Sequence, residues 1–224
     1  MAEVTRKELL LALVGSGEHP RLSGLDLSGL DLAELDLRGA NLRNTKLGGA
    51  ELSYADMSEA ALAGAVLIDA NLTRVKLISA NLTNADLSGA NLHEAVMSTS
   101  VLTGANLANA RLTFTKLNES IANEGHFEGA NLNGANLTFA KLASCNFARA
   151  NLSGADLSGA DLRSSDLRGA NLTFANFSDA DLSNVQLAGA DLSGANLRGI
   201  YLSGVDFSEA NLAGAIMPDG TRHF

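Results

Sequence analysis

Four histidines, one cysteine and many serines and aspartates are the residues of this chain that could carry chemistry. A metal site needs ligands at short, defined spacings, and His19, His93, His126 and His223 show none. A nucleophilic serine needs a base and an orienting carboxylate beside it. The serines recur instead at fixed places in a five-residue period, with no histidine and aspartate organised around any of them. Cys145 stands between Ala140 and Ala150 in a column of small residues and reads as a buried alanine equivalent. Neither a G-x-G-x-x-G turn nor a Walker loop occurs, and the period is not that of the nine-residue calcium-binding repeats. These residues predict no catalytic group, no cofactor and no metal.

The period is what the residues share. Residues 150–172 read ANLSGADLSGADLRSSDLRGANL, with a leucine every fifth residue. A helix repeats near 3.6 residues and a strand at 2, so neither explains it. Counted in fives from Leu22 to Met217, the forty centres are thirty-two Leu, four Phe, three Met and Ala122. The residue two before the centre is Ala in twenty-five frames, and the residue two after is Gly in seventeen. An unbroken apolar column must face an interior. The alanine column faces it too, where only a methyl group fits. Polar residues between them and a glycine at the junction describe a short extended stretch followed by a corner, the glycine supplying the positive φ of a type II turn. Four stretches and four corners make a square coil of twenty residues, and coils stack by β-type pairing at about 4.8 Å. Two hundred residues then give about ten coils and a rod of roughly 45–50 Å.

The remaining composition agrees. Hydrophobic content is 46% but aromatics are 4% and Trp is absent, so the interior is built of small, uniform residues. The net charge of −9 argues against nucleic acid as a direct ligand. One cysteine implies no disulfide framework. The run LLLALV at 9–14 is too short to span a membrane and lacks a cleavage pattern after it. The expectation is a cytoplasmic protein. At the N-terminus Thr5 and Glu8 form a capping box ahead of Leu9, Leu10, Leu13 and Val14, which predicts a short amphipathic helix over the first coil. Leu25, Leu30 and Leu35, bulky where alanine is the rule, fit a coil with such a helix against it. The expected organisation is a capping helix and linker over 1–19, the repeat over 20–219 and a tail over 220–224. At the C-terminal end either the tail folds across the last coil or two molecules meet there, so the chain is a monomer or an end-to-end dimer.

In a pattern this regular the exceptions carry information. The clearest is NESIANEGH, 118–126, with Ala122 at a centre, Ser120 and Gly125 in the small column, and Ile121 apolar in a polar column. Either it stays on the wall as two degenerate frames or it protrudes as a loop; the loop is the favoured reading. Loops on a smooth scaffold are where function concentrates. Phe114, Phe139 and Phe174 sit at corners, where they either anchor a partner or cover neighbouring corner backbone. The candidate contact surface for an unknown protein partner is therefore Phe114, Asn118, Glu119, Glu124, His126 and Phe139, in the electrically neutral middle of the chain.

The frames A(D/N)LSG and A(D/N)LRG, as at Ala155–Gly159 and Ala195–Gly199, resemble those of the pentapeptide-repeat proteins. The ending Ala215–Thr221, AIMPDGT, and the N-terminal helix are similar to cyanobacterial members. The resemblance implies an all-β solenoid, a right-handed quadrilateral β-helix, and a non-enzymatic binding scaffold or regulatory module. It also implies an alternative, since some members resemble B-DNA in width and charge and inhibit DNA gyrase. DNA carries about one charge per 1.7 Å, so a rod of this length would need roughly 26–29 negative charges to imitate it. This chain has −9.

Overall fold

The computed structural model describes Thr5, Glu8 and residues 20–223. From Arg21 onward, outward residues pair in parallel with residues twenty positions further along the chain. Four ladders result. The first begins Arg21–Asn41, the second Asp26–Lys46, the third Asp31–Glu51 and the fourth Asp36–Asp56. They define four walls, numbered here in that order, each closed by a corner. The coil of twenty residues expected from the sequence is thus the repeating unit of a β-helix.

The bonding at mid-rod shows why the period is five. Leu87 N–H donates to Asn106 C=O at 2.7 Å in the next coil, while Asp86 N–H donates to Ala65 C=O at 2.9 Å in the previous one. Ala90 N–H then closes the corner on Leu87 C=O at 3.0 Å. A wall is therefore only long enough for one paired residue, one buried leucine and a turn. Leu87, Ala85 and Ala90 are all buried. Each such leucine contributes about 1.5–3 kcal/mol relative to exposure, and contacts with the coils above and below make stability a sum of nearest-neighbour terms.

The corner residue two after the centre has positive φ, as the glycine column predicts, at every frame except Glu209 and Asp219. Twenty-one of these positions are nevertheless not glycine, Phe114 (φ 58°) and Thr99 (φ 59°) among them, so the bend is imposed by the stack rather than by glycine alone. Glycine has a second use. A Cβ on Gly64, Gly104 or Gly129 would lie 2.4–2.6 Å from the side-chain oxygen of Asn44, Asn84 or Asn109, each one coil earlier. A corner with a side chain is thus covered onto a corner without one.

Where the small column holds a polar residue, the hydroxyl bonds to a corner carbonyl, except at Ser120. Thr45 Oγ1 donates to Leu22 C=O at 2.9 Å, Thr115 Oγ1 to Leu92 C=O at 2.8 Å and Ser165 Oγ to Leu142 C=O at 2.7 Å. Cys145 Sγ does the same to Ala122 C=O at 2.9 Å. Burial pushes this thiol up to about 12. Since the thiolate is the reactive form, Cys145 in the native protein should resist alkylation at pH 8 and react once the rod is unfolded in guanidinium. Rapid alkylation of native protein, followed by mass spectrometry, would contradict the buried placement.

Residues 118–126 do not protrude. Ile121 pairs with Val101 and Lys141, and His126 with Asn106 and Asn146, so the ladders run through without interruption. Ser120 and Ala122 are buried, and Glu119 and Glu124 are ordinary positive-φ corner residues. The expected loop is corrected to two regular frames with an altered core. A Cβ on Gly125 would lie 2.8 Å from Phe127 Cε2 and 2.8 Å from Ala122 C=O. The Phe127 ring thus occupies the room that glycine at 125 leaves, beside the position where Ala122 replaces a leucine, and stacks on Phe147 at 4.7 Å between centroids. Within this small-residue pocket Ser120 Oγ has no hydrogen-bond partner.

The ends differ. The helix expected over 1–19 lies outside the described residues except for Thr5 and Glu8. These two make the capping-box bonds, Thr5 N–H to Glu8 Oε2 at 2.8 Å and Glu8 N–H to Thr5 Oγ1 at 3.3 Å. Leu25, Leu30 and Leu35 are only partly buried. At the other end the tail folds back. Ile216 pairs antiparallel with Arg222, and His223 N–H donates to Ala215 C=O at 2.9 Å. The second wall also departs from register near this end. Gly189 N–H reaches Glu209 C=O at 3.0 Å, one residue beyond the regular acceptor, and the Gln186–Asp206 pairing is missing. A cleft of about 330 Å³ opens there between Val185–Ala188 and Gly204–Glu209. Among the described residues no helix is long and apolar enough to cross a membrane.

Candidate functional site

A row of corner residues recurs every twenty positions, so side chains far apart in sequence line up along an edge. The third edge carries Glu34, Tyr54, Arg74, Glu94, Phe114 and Phe174 among glycines; the fourth carries Glu59, Ser79, Thr99, Glu119, Phe139 and Asp179. The six residues singled out from the sequence are distributed accordingly. Asn118 lies on the fourth wall, with Glu119 and Phe139 on successive coils of the fourth edge. Phe114 is across that wall on the third edge. Glu124 is on the first edge and His126 on the second wall, so these two point away from the others. Asn118 Oδ1 accepts a bond from Ser98 Oγ at 2.7 Å.

The part that does come together includes Ile121, already noted from the sequence, and gains Ile78, Val96 and Val101, which the linear reading passed over. Ile78 and Val96 face outward on the fourth wall, and Val101 and Ile121 face outward on the first, in columns that are mostly polar. The fourth edge runs between these two pairs and ends them at Phe139. Ile78 is 39% and Phe139 67% exposed. Lys116 and Lys141 stand beside this apolar band and Glu119 within it. The sequence signal was available at a spacing of twenty: Val101 and Ile121 are stacked neighbours, and only the coil length shows it.

The third edge holds a polar network. Arg74 Nη1 donates to Tyr54 Oη at 3.1 Å, and its guanidinium lies 5.7 Å from the Tyr54 ring centroid. Arg74 Nε reaches Glu94 Oε2 at 2.7 Å, and that guanidinium bond is the main cause holding the Glu94 carboxyl below its ordinary range. His93 Nε2 lies 3.2 Å from Glu94 Oε1, its Nδ1 is 2.7 Å from Thr113 Oγ1, and its ring meets Phe114 edge-on at 6.1 Å. A hydroxyl, an imidazole and a carboxylate are therefore in line, but on a convex edge with Thr113 buried against the wall. The corner phenylalanines also cover backbone, as one of the two sequence readings has it. A Cβ on Gly134, Gly159 or Gly194 would lie 2.5–2.6 Å from the ring of Phe114, Phe139 or Phe174 one coil earlier. The rings are held flat along the edge and remain more than half exposed.

Electrostatics are uneven round the rod. On the first wall Arg21, Arg43, Lys141 and Arg163 outnumber Asp161 and Asp181. On the fourth, Arg38, Lys76, Lys116 and Arg198 outnumber Asp36, Asp56 and Asp156. Two adjacent walls thus carry a net positive charge on a chain of −9, which Glu59, Glu119 and Asp179 on the fourth edge between them offset. Several acids are tied locally to bases: the Arg38 guanidinium holds the Asp36 carboxyl down to about 2, and Arg163 and Arg168 lower Asp161 and Asp166 in the same way. Among the described residues no group of His, Cys, Asp and Glu is placed to hold a metal ion.

Comparison with known proteins agrees with this architecture. Pentapeptide repeats match in successive segments from 21–58 to 180–218. No curated protein matches the sequence. Among solved structures, HetL, a pentapeptide repeat protein involved in heterocyst differentiation regulation from the cyanobacterium Nostoc sp. strain PCC 7120, is 31% identical; the match covers 99% of this chain and 100% of HetL with a TM-score of 0.68. A pentapeptide repeat protein of the Arabidopsis thaliana thylakoid lumen is 32% identical over 51% of this chain and 62% of its own, with a TM-score of 0.23. The plasmid-mediated fluoroquinolone resistance protein QnrB1 is 20% identical over 88% and 90%, with a TM-score of 0.36. With the repeat matched along nearly its whole length, this chain belongs to the pentapeptide repeat family, and its fold is a right-handed β-helix.

Proposed function

We propose that the protein is a non-enzymatic cytoplasmic scaffold of about ten coils, closed by an N-terminal helix, that binds one protein partner across the fourth edge. The observation that carries this reading is the apolar band of Ile78, Val96, Val101, Ile121 and Phe139, which interrupts polar columns in the middle of the rod. An apolar centre rimmed by charge is the usual anatomy of a protein contact. The rim of Lys116 and Lys141 favours a partner with acidic groups round an apolar centre. A regulatory role of the kind stated for HetL is the natural setting for such a contact. Imitation of DNA is disfavoured by a net charge of −9, where a rod of this length would need roughly 26–29 negative charges.

The test compares immobilised wild-type rod with an Ile121→Asn, Phe139→Ser variant and with a Phe114→Ser control, using extract of the source cell. The expected result is a protein retained by wild type and control but lost with the double variant. Equal retention by all three removes the assignment of the fourth edge. A supercoiling assay with titrated protein checks the alternative: gyrase inhibition at micromolar concentration would replace the scaffold reading.

A further inference from the structure

Tyr54, Phe114 and Phe174 are the three aromatic residues of the third edge, and they are separated by sixty residues each. With twenty residues per coil this is three coils, or about 14 Å, between neighbouring rings. All are exposed, at 53%, 56% and 76%. None is loose: Arg74 holds Tyr54 by a hydrogen bond and a cation–π contact, and Phe114 and Phe174 lie over Gly134 and Gly194. Rings already fixed in place lose little conformational entropy on contact.

The row is also its own complement under reversal. Turned end for end about Phe114, Tyr54 falls on Phe174 and Phe174 on Tyr54. The charged corners fall on glycines: Glu34 on Gly194, Arg74 on Gly154 and Glu94 on Gly134. No like charges meet along this edge, and the bulky corners that meet are the aromatic rings themselves. We propose that two copies of this chain associate antiparallel along the third edge, about a twofold axis at Phe114. A second copy is the occupant that the spacing selects, because another stack with the same coil rise keeps step with all three rings. An interface of this kind is isologous and closes on itself, giving a dimer and no filament. A contact confined to one convex edge buries less than the ~800 Å² per partner of a standard interface, so the dimer is weak and concentration-dependent. This goes beyond the scaffold reading, and the fourth edge of each copy stays open.

Variants with one added cysteine test the geometry in the full chain, since the native Cys145 is buried. On the axis residue 114 meets its own copy, so Phe114→Cys should form an interchain disulfide under mild oxidation at least about tenfold faster than Phe139→Cys on the neighbouring edge. Tyr54→Cys and Phe174→Cys should each cross-link poorly alone and efficiently when mixed. Equal rates for Phe114→Cys and Phe139→Cys overturn the proposal, as does self-linking of Tyr54→Cys, which would mean parallel rods. Sedimentation of the unmodified protein over a concentration series gives a second arm. Wild type should shift toward dimer and Phe114→Arg, with an unchanged β-signal, should stay monomeric. A wild type that remains monomeric throughout overturns the proposal, and so does a dimer that survives Phe114→Arg, since its contact would then lie elsewhere, as at the C-terminal coil. Loss of partner capture on the fourth edge would leave these outcomes unchanged, so the two readings fail separately.

Discussion

Leu87→Lys unfolds the middle of the rod, and Ser88→Lys one residue later is nearly silent. Leu87 is wholly buried, with coils packed above and below it. An ammonium in that column has no partner, and its desolvation adds several kcal/mol to the lost burial of the leucine. Because each coil is stabilised by its neighbours, damage at the centre also weakens the coils on both sides. Ser88 faces outward, its N–H bonded to Asp86 Oδ1 at 3.0 Å, a contact that a lysine side chain does not disturb. Thermal melts followed by circular dichroism should separate the two variants by tens of degrees or show no folded Leu87→Lys at all. Equal melting temperatures would mean that the columns are assigned to the wrong faces.

The repeat was legible in the sequence because its physical constraint is local. A five-residue wall must bury its centre and its small residue and must then turn, so each frame reports its own inward and outward positions. Pairing in steps of twenty, the buried Leu, Ala and Cys145 columns and the positive-φ corners all follow from that constraint. What was not legible lies between coils. Covering Gly64 by Asn44 requires comparing residues twenty apart, and so does recognising that Tyr54, Arg74, Glu94 and Phe114 share one edge. Frames taken singly made Phe114, Glu124 and His126 look like neighbours, because they are close in sequence; corners turn them onto different sides. The tail pairing of Ile216 with Arg222 likewise depends on chain reversal beyond the last regular frame, where the period no longer informs.

Gly125→Ala, which restores the residue that the small column holds in most frames, should destabilise the protein. The reason is the one that removed the expected loop. Ala122 lacks the side chain of a leucine centre, Gly125 lacks a methyl, and the Phe127 ring uses the space, stacked 4.7 Å from Phe147. A methyl at 125 would stand 2.8 Å from Phe127 Cε2 and 2.8 Å from the Ala122 carbonyl oxygen, and the latter is backbone that cannot swing aside. No positive φ applies at Gly125, so the penalty is packing alone. Overpacking of this kind costs about 1–3 kcal/mol. Phe127→Leu by itself should also destabilise, by about 1 kcal/mol or more for the void left under Phe147. The combination Gly125→Ala, Phe127→Leu should lose less than the sum of the two, since removing the ring relieves one of the two clashes, while the carbonyl contact keeps the rescue incomplete. Denaturant melts of the three variants measure this coupling. Simple additivity would mean that the ring and the missing methyl are independent, and a stabilising Gly125→Ala would mean that residues 118–126 are slack rather than repacked.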